Sequence, residues 1–448
     1  MSKTKIIVLD DDPTGSQTVH SCLLLTRWDV ETLKQGLTDS APLFFVLTNT
    51  RGLSATDAAD LTREVCVNLR EALKQLSAEG NNINPMLVSR SDSTLRGHYP
   101  VETDIIAEEL GPFDAHFMVP AFFEGGRITI DSIHYLLVDG KRVPVHETEF
   151  ARDSVFAYSH SYLPDYVEEK TAGRIKATQV ERFVLQDVRG DSMPRLLALN
   201  NNQCCVVDGE TQDDLNHFCS QLMQAAAEGK RFLFRSAASL LTALAQLPPQ
   251  PVAAEKMREY VRCGKAGAVI VGSHVSKTTQ QLNHLLQQEG IRGIEIDVSK
   301  IARQRDKLLA DIKAMAQQCH EKNITPVIYT SRTELQFDDQ QTRLAFGETV
   351  SAFLMDVVRN LPDTIGFLIS KGGITSNDVL SDGLALRSSR VVGQILAGCS
   401  VVRCPQDHPR YPGMPVVIFP GNVGDESGIT TAYQRLSVKL PENTFKRA

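Results

Sequence analysis

The sequence predicts an α/β protein of two α/β domains with mainly parallel sheets and an intervening cleft. Three observations predict it. Short aliphatic runs recur, each stopping at a polar or glycine-bearing loop, as strands buried on both faces of a parallel sheet do. Between them lie stretches with apolar residues three and four apart, the spacing of helices that cover such a sheet. The prolines of Leu247-Pro248-Pro249-Gln250-Pro251 then interrupt the alternation, which begins afresh beyond them. At 448 residues the chain is too long for one core, and the expected domains are residues 1–247 and 252–448.

The first run, Lys5 to Leu9, is too short for a helix and stops hard at Asp10-Asp11-Asp12-Pro13-Thr14-Gly15-Ser16. Three carboxylates, a proline and a glycine place the acids on the loop at the strand's carboxyl end, where open α/β sheets bind ligands. Val19 to Thr26 reads as extended, and Pro42 to Thr48 as a strand ending in Asn49-Thr50-Arg51-Gly52. Ser54 to Leu76 has helical spacing, with Leu61, Val65, Leu69 and Leu73 on one face. Met86 to Val88 is a third strand and runs into the polar loop Ser89 to His98. A helix over Val101 to Leu110 and a strand over Ala115 to Val119 follow, then the Gly-flanked Arg127. Residues 131–200 are less regular, with a strand near Phe183 and a turn at His146 to Glu149; strands at Cys204 to Asp208 and Arg231 to Arg235 close the first domain.

In the second domain the strands are Ala268 to Val271, Ile294 to Ile296, Pro326 to Thr330, Gly366 to Ser370 and Val416 to Phe419. Helices are expected over Thr278 to Gln288, Ser299 to Cys319 and Phe346 to Leu361. Another is expected to open at Thr375, with Asp378 three residues later as a capping box.

Composition narrows the function. A net charge of −7 argues against nucleic acid as a partner, since a phosphate backbone calls for clustered Lys and Arg. No run is apolar enough to span a bilayer and no secretory leader is read at Met1, so no membrane partner is expected and the expected compartment is the cytoplasm. The nine Cys have no CxxC pairs and read as reduced thiols.

Three adjacent aspartates repel one another, so a cation, a hydroxyl proton to be taken or a hydroxyl-rich ligand is needed to offset them; a solvated acidic turn is the plain alternative. The loop from Ser89 to His98 gathers Arg90, Asp92, Ser93 and Arg96, and a guanidinium fork suits a carboxylate or phosphate; a surface Asp92–Arg96 salt bridge is the plain alternative there. In the second domain, Lys371-Gly372-Gly373 before a helix and the glycine loop Gly421-Asn422-Val423-Gly424 each offer backbone N–H groups to an anion, although neither has P-loop spacing.

These parts fit a kinase. The first domain holds a small hydroxylated acid, with Arg90, Arg96 or Arg127 on its carboxylate and an aspartate accepting a hydroxyl proton; the second presents ATP and Mg²⁺. Asp10-Asp11-Asp12-Pro13-Thr14 also fits the DxDxT opening of haloacid-dehalogenase-type phosphatases, with Asp10 as nucleophile and Asp12 as acid/base. A non-catalytic sugar-acid sensor is a third reading, which leaves the anion loops of the second domain without a task.

The motifs resemble those of the four-carbon acid sugar kinases along nearly the whole chain. The resemblance rests on Asp11-Asp12-Pro13-Thr14-Gly15, on Asp92-Ser93-Thr94-Leu95-Arg96-Gly97 and on Pro120 to Arg127. In the second domain it rests on Gly272-Ser273 with Ser276, Thr279 and Gln280, on Gly372-Gly373-Ile374-Thr375 and on Gly421 to Gly424. It implies ATP-dependent phosphorylation of threonate, erythronate or a 3-oxo-tetronate at the terminal hydroxyl, with acid bound by the first domain and ATP by the second. Carried over by position, Asp12, Arg90 and Arg96 bind the acid, and Asp92, Ser93 and Arg127 are expected to bind it beside them. Asp12 is the general base, with Asp92 its competitor and Asp11 positioning Mg²⁺ or a hydroxyl. Ser276, Gly372, Gly373, Ile374, Thr375, Gly421, Asn422 and Gly424 contact the nucleotide, a specific metal ligand set is not implied, and a homo-oligomer is compatible with the family. Pro13 and Arg90 depart from the common Phe and Lys, both in the substrate half, so the choice among the acids stays open.

Overall fold

Burial explains why each aliphatic run becomes a strand. Ile6, Ile7, Val8 and Leu9 are all buried, and so is Lys5, whose ammonium donates to the carbonyls of Asp39 and Ala41 at 2.6 and 2.5 Å. A strand flanked on both faces needs apolar side chains on both, which Ile-Ile-Val-Leu supplies. The computed structural model describes residues 3–332, 340–421 and 423–437 and divides into two units, Met1–Pro249 and Gln250–Ala448.

The strands of the first unit are β1 Lys3–Asp10, β2 Cys22–Leu25, β3 Leu43–Leu47, β4 Ile83–Arg90, β5 Ala115–Val119, β6 Arg127–Ile130, β7 Ile133–Val138, β8 Lys141–Pro144, β9 Glu181–Phe183, β10 Gln203–Val207 and β11 Phe232–Ser236. Eight of them form one all-parallel sheet in the order β2-β3-β1-β4-β11-β5-β10-β9. The other three, β6 to β8, make a small antiparallel sheet. The helix Ala55–Ala78, capped by Ser54 through the N–H of Asp57, lays Val65, Cys66, Leu69, Ala72 and Leu76 on a core shared with Ile7, Leu9, Phe44, Val46 and Leu87. Elsewhere in this unit, Phe117 packs among Phe183, Phe218, Phe232 and Phe234, with ring centroids 5.3–6.1 Å from its own.

In the second unit the strands are β12 Ala268–Val271, β13 Ile291–Ile296, β14 Thr325–Thr330, β15 Leu368–Lys371, β16 Ser388–Leu396, β17 Cys399–Arg403 and β18 Pro415–Phe419. Their order is β13-β14-β12-β15-β18-β17-β16, parallel as far as β18 and antiparallel from there. Both units are therefore α/β with mainly parallel sheets, as expected.

Two stretches left open by the sequence take definite form, and one expectation needs correction. The middle of the first unit is more ordered than its composition implied: besides β6 to β8 it carries helices at Leu163–Lys170, Leu185–Arg189 and Met193–Ala198. The antiparallel strands β16 and β17 replace what had no assignment, and β-bulges near Gly393 explain why their alternation is broken. The expected capping box at Thr375 does not form. The helix opens at Gly373, its N-cap is Gly372 at φ +116°, and Thr375 is buried inside the first turn. Asp378 instead accepts a hydrogen bond from Ser351.

Candidate active site

The register of the first sheet brings three loops together. Asp10 pairs with Leu47 on one side and Arg90 on the other, and Arg90 in turn with Ser236, so β1, β3, β4 and β11 end side by side. Backbone bonds knit the loops that leave them: Thr48 N–H and Asn49 N–H donate to Asp10 O, and Arg51 N–H donates to Asp11 O at 3.2 Å.

A charged cluster sits on this edge. Arg51 donates to both oxygens of Asp11, at 2.5 and 3.1 Å, and its Nη1 lies 3.4 Å from Asp12 Oδ2 and 4.0 Å from Asp92 Oδ1. Arg90, only 4% exposed, lies 3.3 Å from Asp10 and 3.4 Å from Asp11. Arg96 pairs with Asp92 at 2.8 Å and with Asp153 at 3.6 Å. Arg235 donates to Ser89 Oγ at 2.7 Å and to Glu102, which also accepts from Thr50 Oγ1 at 2.5 Å.

The three adjacent aspartates are not equivalent. The side chains of Asp10 and Asp11 are 0% and 1% exposed, whereas that of Asp12 is 21% exposed. Burial pushes the Asp10 carboxyl up to about 8, and neither of its oxygens has a hydrogen-bond partner among the described residues. A Cβ on Gly15 would lie 2.1 Å from Asp10 Oδ2, so the glycine backbone closes directly over that acid. Burial also lifts Asp11, against the pull of Arg51 and Arg90. For Asp12 burial acts upward too, but Arg51, Arg90 and two hydrogen bonds from Thr14 outweigh it and hold the group below the usual carboxylate range. Asp92 is held lower still, because Arg51, Arg96 and Thr94 outweigh its burial.

Of the other residues expected on the acid, Ser93 is buried, and Arg127 stacks over Phe122 with its guanidinium carbon 6.0 Å from the ring centroid. Arg127 donates to Gly125 O, burial lowers its pKa, and among the described residues it has no carboxylate at ion-pair distance. Arg51, Glu102 and Arg235 were not singled out from the sequence. Arg51 stood at a strand-terminal loop and was open to the same argument as Asp12, whereas Glu102 lies in a helix and Arg235 in a strand, with no local signal.

In the second unit β12, β15 and β18 are adjacent and parallel, so their carboxyl-end loops are neighbours too. A Cβ on Gly272 would lie 2.3 Å from Thr375 Oγ1, and one on Gly372 would lie 3.1 Å from Ser273 Cβ, at a φ that favours glycine. Gly421 lies beside them, with Ser273 Oγ 3.9 Å from its Cβ position. Ser276 begins the helix Ser276–Leu285, whose N-cap Val275 makes no side-chain cap hydrogen bond. From that helix Gln281 donates to the carbonyls of Val423 and Asp425 at 3.0 and 2.6 Å, fixing the turn at Gly424. Lys371 is wholly buried and donates to Pro420 O and Gly421 O at 2.6 and 3.1 Å, tying β15 to the loop after β18. Ile374 is 72% exposed in the first turn of the helix Gly373–Asp378, and Asn422 lies outside the described residues.

Comparison with known proteins gives a family match within each unit. The family described as a sugar-binding N-terminal domain matches residues 6–244, and that described as a nucleotide-binding C-terminal domain matches residues 268–429. The chain is 26% identical over 292 residues to the D-erythronate kinase of Heliobacterium modesticaldum, covering 62% of this chain and 60% of that one. It is 31% identical over 165 residues to the D-threonate kinase of Bordetella bronchiseptica, covering 35% and 37%. The chain thus spans less than two thirds of the length of either relative. Among solved structures, the Haemophilus influenzae protein HI1011 shares the fold, with a TM-score of 0.66 and 16% identity over 96% of this chain and all of that one. The matched domains, the named kinases and the motifs on both sheet edges agree: the chain belongs to the four-carbon acid sugar kinase family.

Proposed function

We propose that the protein is an ATP-dependent kinase acting on the terminal hydroxyl of a four-carbon acid sugar: threonate, erythronate or a 3-oxo-tetronate. The observation that carries this reading is the contrast among Asp10, Asp11 and Asp12, of which Asp12 is the most exposed and the one held below the usual carboxylate range. Asp12 accepts the proton of the acid's terminal hydroxyl as that oxygen bonds to the γ-phosphorus of ATP and the bond to ADP breaks. Asp92 is the competing candidate for this proton; its side chain is 14% exposed against 21% for Asp12.

Arg127, with no carboxylate at ion-pair distance among the described residues, and Arg96 at the rim of the cluster are the cations assigned to the acid's carboxylate. Arg51, 3.4 Å from Asp12, helps hold that acid in place, and Arg90, Asp92 and Ser93 keep their assignment to the substrate. Buried like-signed acids that are compensated by arginines do not reorganise during the reaction, which is how a preorganised site favours its transition state.

ATP is assigned to Ser276, to Gly372 through Thr375 and to Gly421, Asn422 and Gly424. The neighbouring glycine turns and the uncapped helix fit its phosphates. Among the described residues no group of three or more His, Cys, Asp or Glu forms a metal site. Mg²⁺ held largely by phosphates and water fits that donor set, and when bound it would shield phosphate charge. The nine cysteines are free, which suits a cytoplasmic enzyme. The test is ADP release from MgATP in the presence of each tetronate, and ADP release independent of any acid would refute the proposal.

A further inference from the structure

The segment after Arg127, which no motif explained, grips the Asp92-to-Gly97 loop by three consecutive carbonyls. His134 Nε2 donates to Ser93 O at 2.8 Å, Tyr158 OH to Thr94 O at 2.8 Å and Tyr166 OH to Leu95 O at 2.8 Å. All three side chains are at most 5% exposed. The same segment also meets Arg96, placing the Phe150 ring 5.1 Å from its guanidinium and Asp153 within 3.6 Å.

This pattern is more than loop packing. Inside the loop Leu95 N–H donates to Asp92 O at 3.2 Å, so this turn and the three gripped carbonyls together fix the backbone path from Asp92 to Arg96. The loop needs such restraint, because Leu95 at φ +68° is an uncommon conformation for a branched side chain. Its far side abuts the acidic cluster: a Cβ on Gly97 would lie 2.7 Å from Arg235 Nη2 and 3.0 Å from Asp11 Oδ2. Donation by His134 Nε2 to a carbonyl leaves Nδ1 to accept from Thr129 Oγ1 at 2.9 Å, the pattern of a neutral ring. Burial, which pushes this imidazole down to about 4, agrees with that state, and burial likewise raises both phenols so that each keeps its proton.

We infer that His134, Tyr158 and Tyr166 are positioning residues that set the backbone of the Asp92-to-Gly97 loop, and through it Arg96, for the carboxylate end of the acid substrate. Its kinetic readout rests on the proposed kinase function. The backbone readout does not.

The experiment uses the full chain with Tyr158→Phe, Tyr166→Phe and the double variant, which remove the donors and keep the rings. Amide exchange over residues 92–97 should quicken by about fivefold for each phenol lost, with β1 and β4 unchanged. The KM for the acid should rise roughly ten- to a hundredfold in the double variant while the KM for ATP stays level. Unchanged loop exchange, or equal movement of both KM values, would overturn the inference. Should the wild type release no ADP with any tetronate, the kinase reading fails, yet faster loop exchange in the variants still supports the clamp and unchanged exchange still sinks it. If the double variant does not fold, Tyr158→Phe alone, which retains the 5.6 Å edge contact with Tyr166, carries the same test.

Discussion

Replacing Asp10 by Asn separates the role of this acid from that of its neighbours. Asp10 is fully buried, its oxygens lack hydrogen-bond partners among the described residues, Gly15 closes over it, and burial pushes its carboxyl up to about 8 although Arg90 is 3.3 Å away. In the unfolded chain the same group titrates near the ordinary value of 3.8. Between about pH 4 and pH 8 the folded protein therefore holds a proton that the unfolded chain has released, and stability falls as pH rises through that window. At pH 7 the difference spans about three pH units, or roughly 4 kcal/mol. Asparagine has nearly the shape of the protonated acid and nothing to titrate. Urea unfolding at pH 4, 6, 7 and 8 should therefore show Asp10→Asn no more stable than wild type at pH 4 and progressively more stable above it, by up to roughly 4 kcal/mol at pH 7. A variant less stable than wild type at pH 7 would mean that Asp10 is ionised and paired with Arg90, contrary to this account. Acid-dependent ADP release should persist in the variant, and its abolition would give Asp10 a part in the chemistry.

Three other substitutions probe the remaining assignments. Asp12→Asn should lower turnover by roughly 10²- to 10⁴-fold, the range for a general base, while calorimetry shows ATP still bound; unchanged turnover would move the base elsewhere. Arg51→Met leaves the buried Asp11 with only the longer 3.4 Å contact to Arg90 and should destabilise the first unit by about 3 kcal/mol in denaturant unfolding, and Arg51→Lys should rescue it only in part because the two-oxygen contact to Asp11 needs the guanidinium fork. Gly372→Val adds a branched side chain at φ +116° against Ser273, and should raise the KM for ATP with little effect on acid affinity by titration; weakened acid binding instead would contradict the assignment of the two units.

What could be read from the sequence follows physical lines. The strands that lead to the site were legible because residues such as Ile6 to Leu9 and Ala268 to Val271 are buried on both faces and must be apolar throughout. The acids and glycines after them were legible because a strand's carboxyl end is where such loops bind ligands. The partnership of Glu102 with Arg235 was not, since it joins residues 133 apart that look like ordinary helix and strand positions. Nor were His134, Tyr158 and Tyr166, whose partners are backbone carbonyls and so leave no complementary residue to find in the sequence. The capping box at Thr375 misled because Gly372, at positive φ, starts the helix before the threonine is reached and turns that side chain inward against Gly272.

The central claim is tested most directly by ADP release from MgATP across stereoisomers of threonate, erythronate and 3-oxo-tetronate, with a generic phosphate ester alongside. The account predicts release that depends on one or more of these acids and a product phosphorylated at the terminal hydroxyl. Hydrolysis of the phosphate ester without ATP, together with no acid-dependent ADP release, would contradict it.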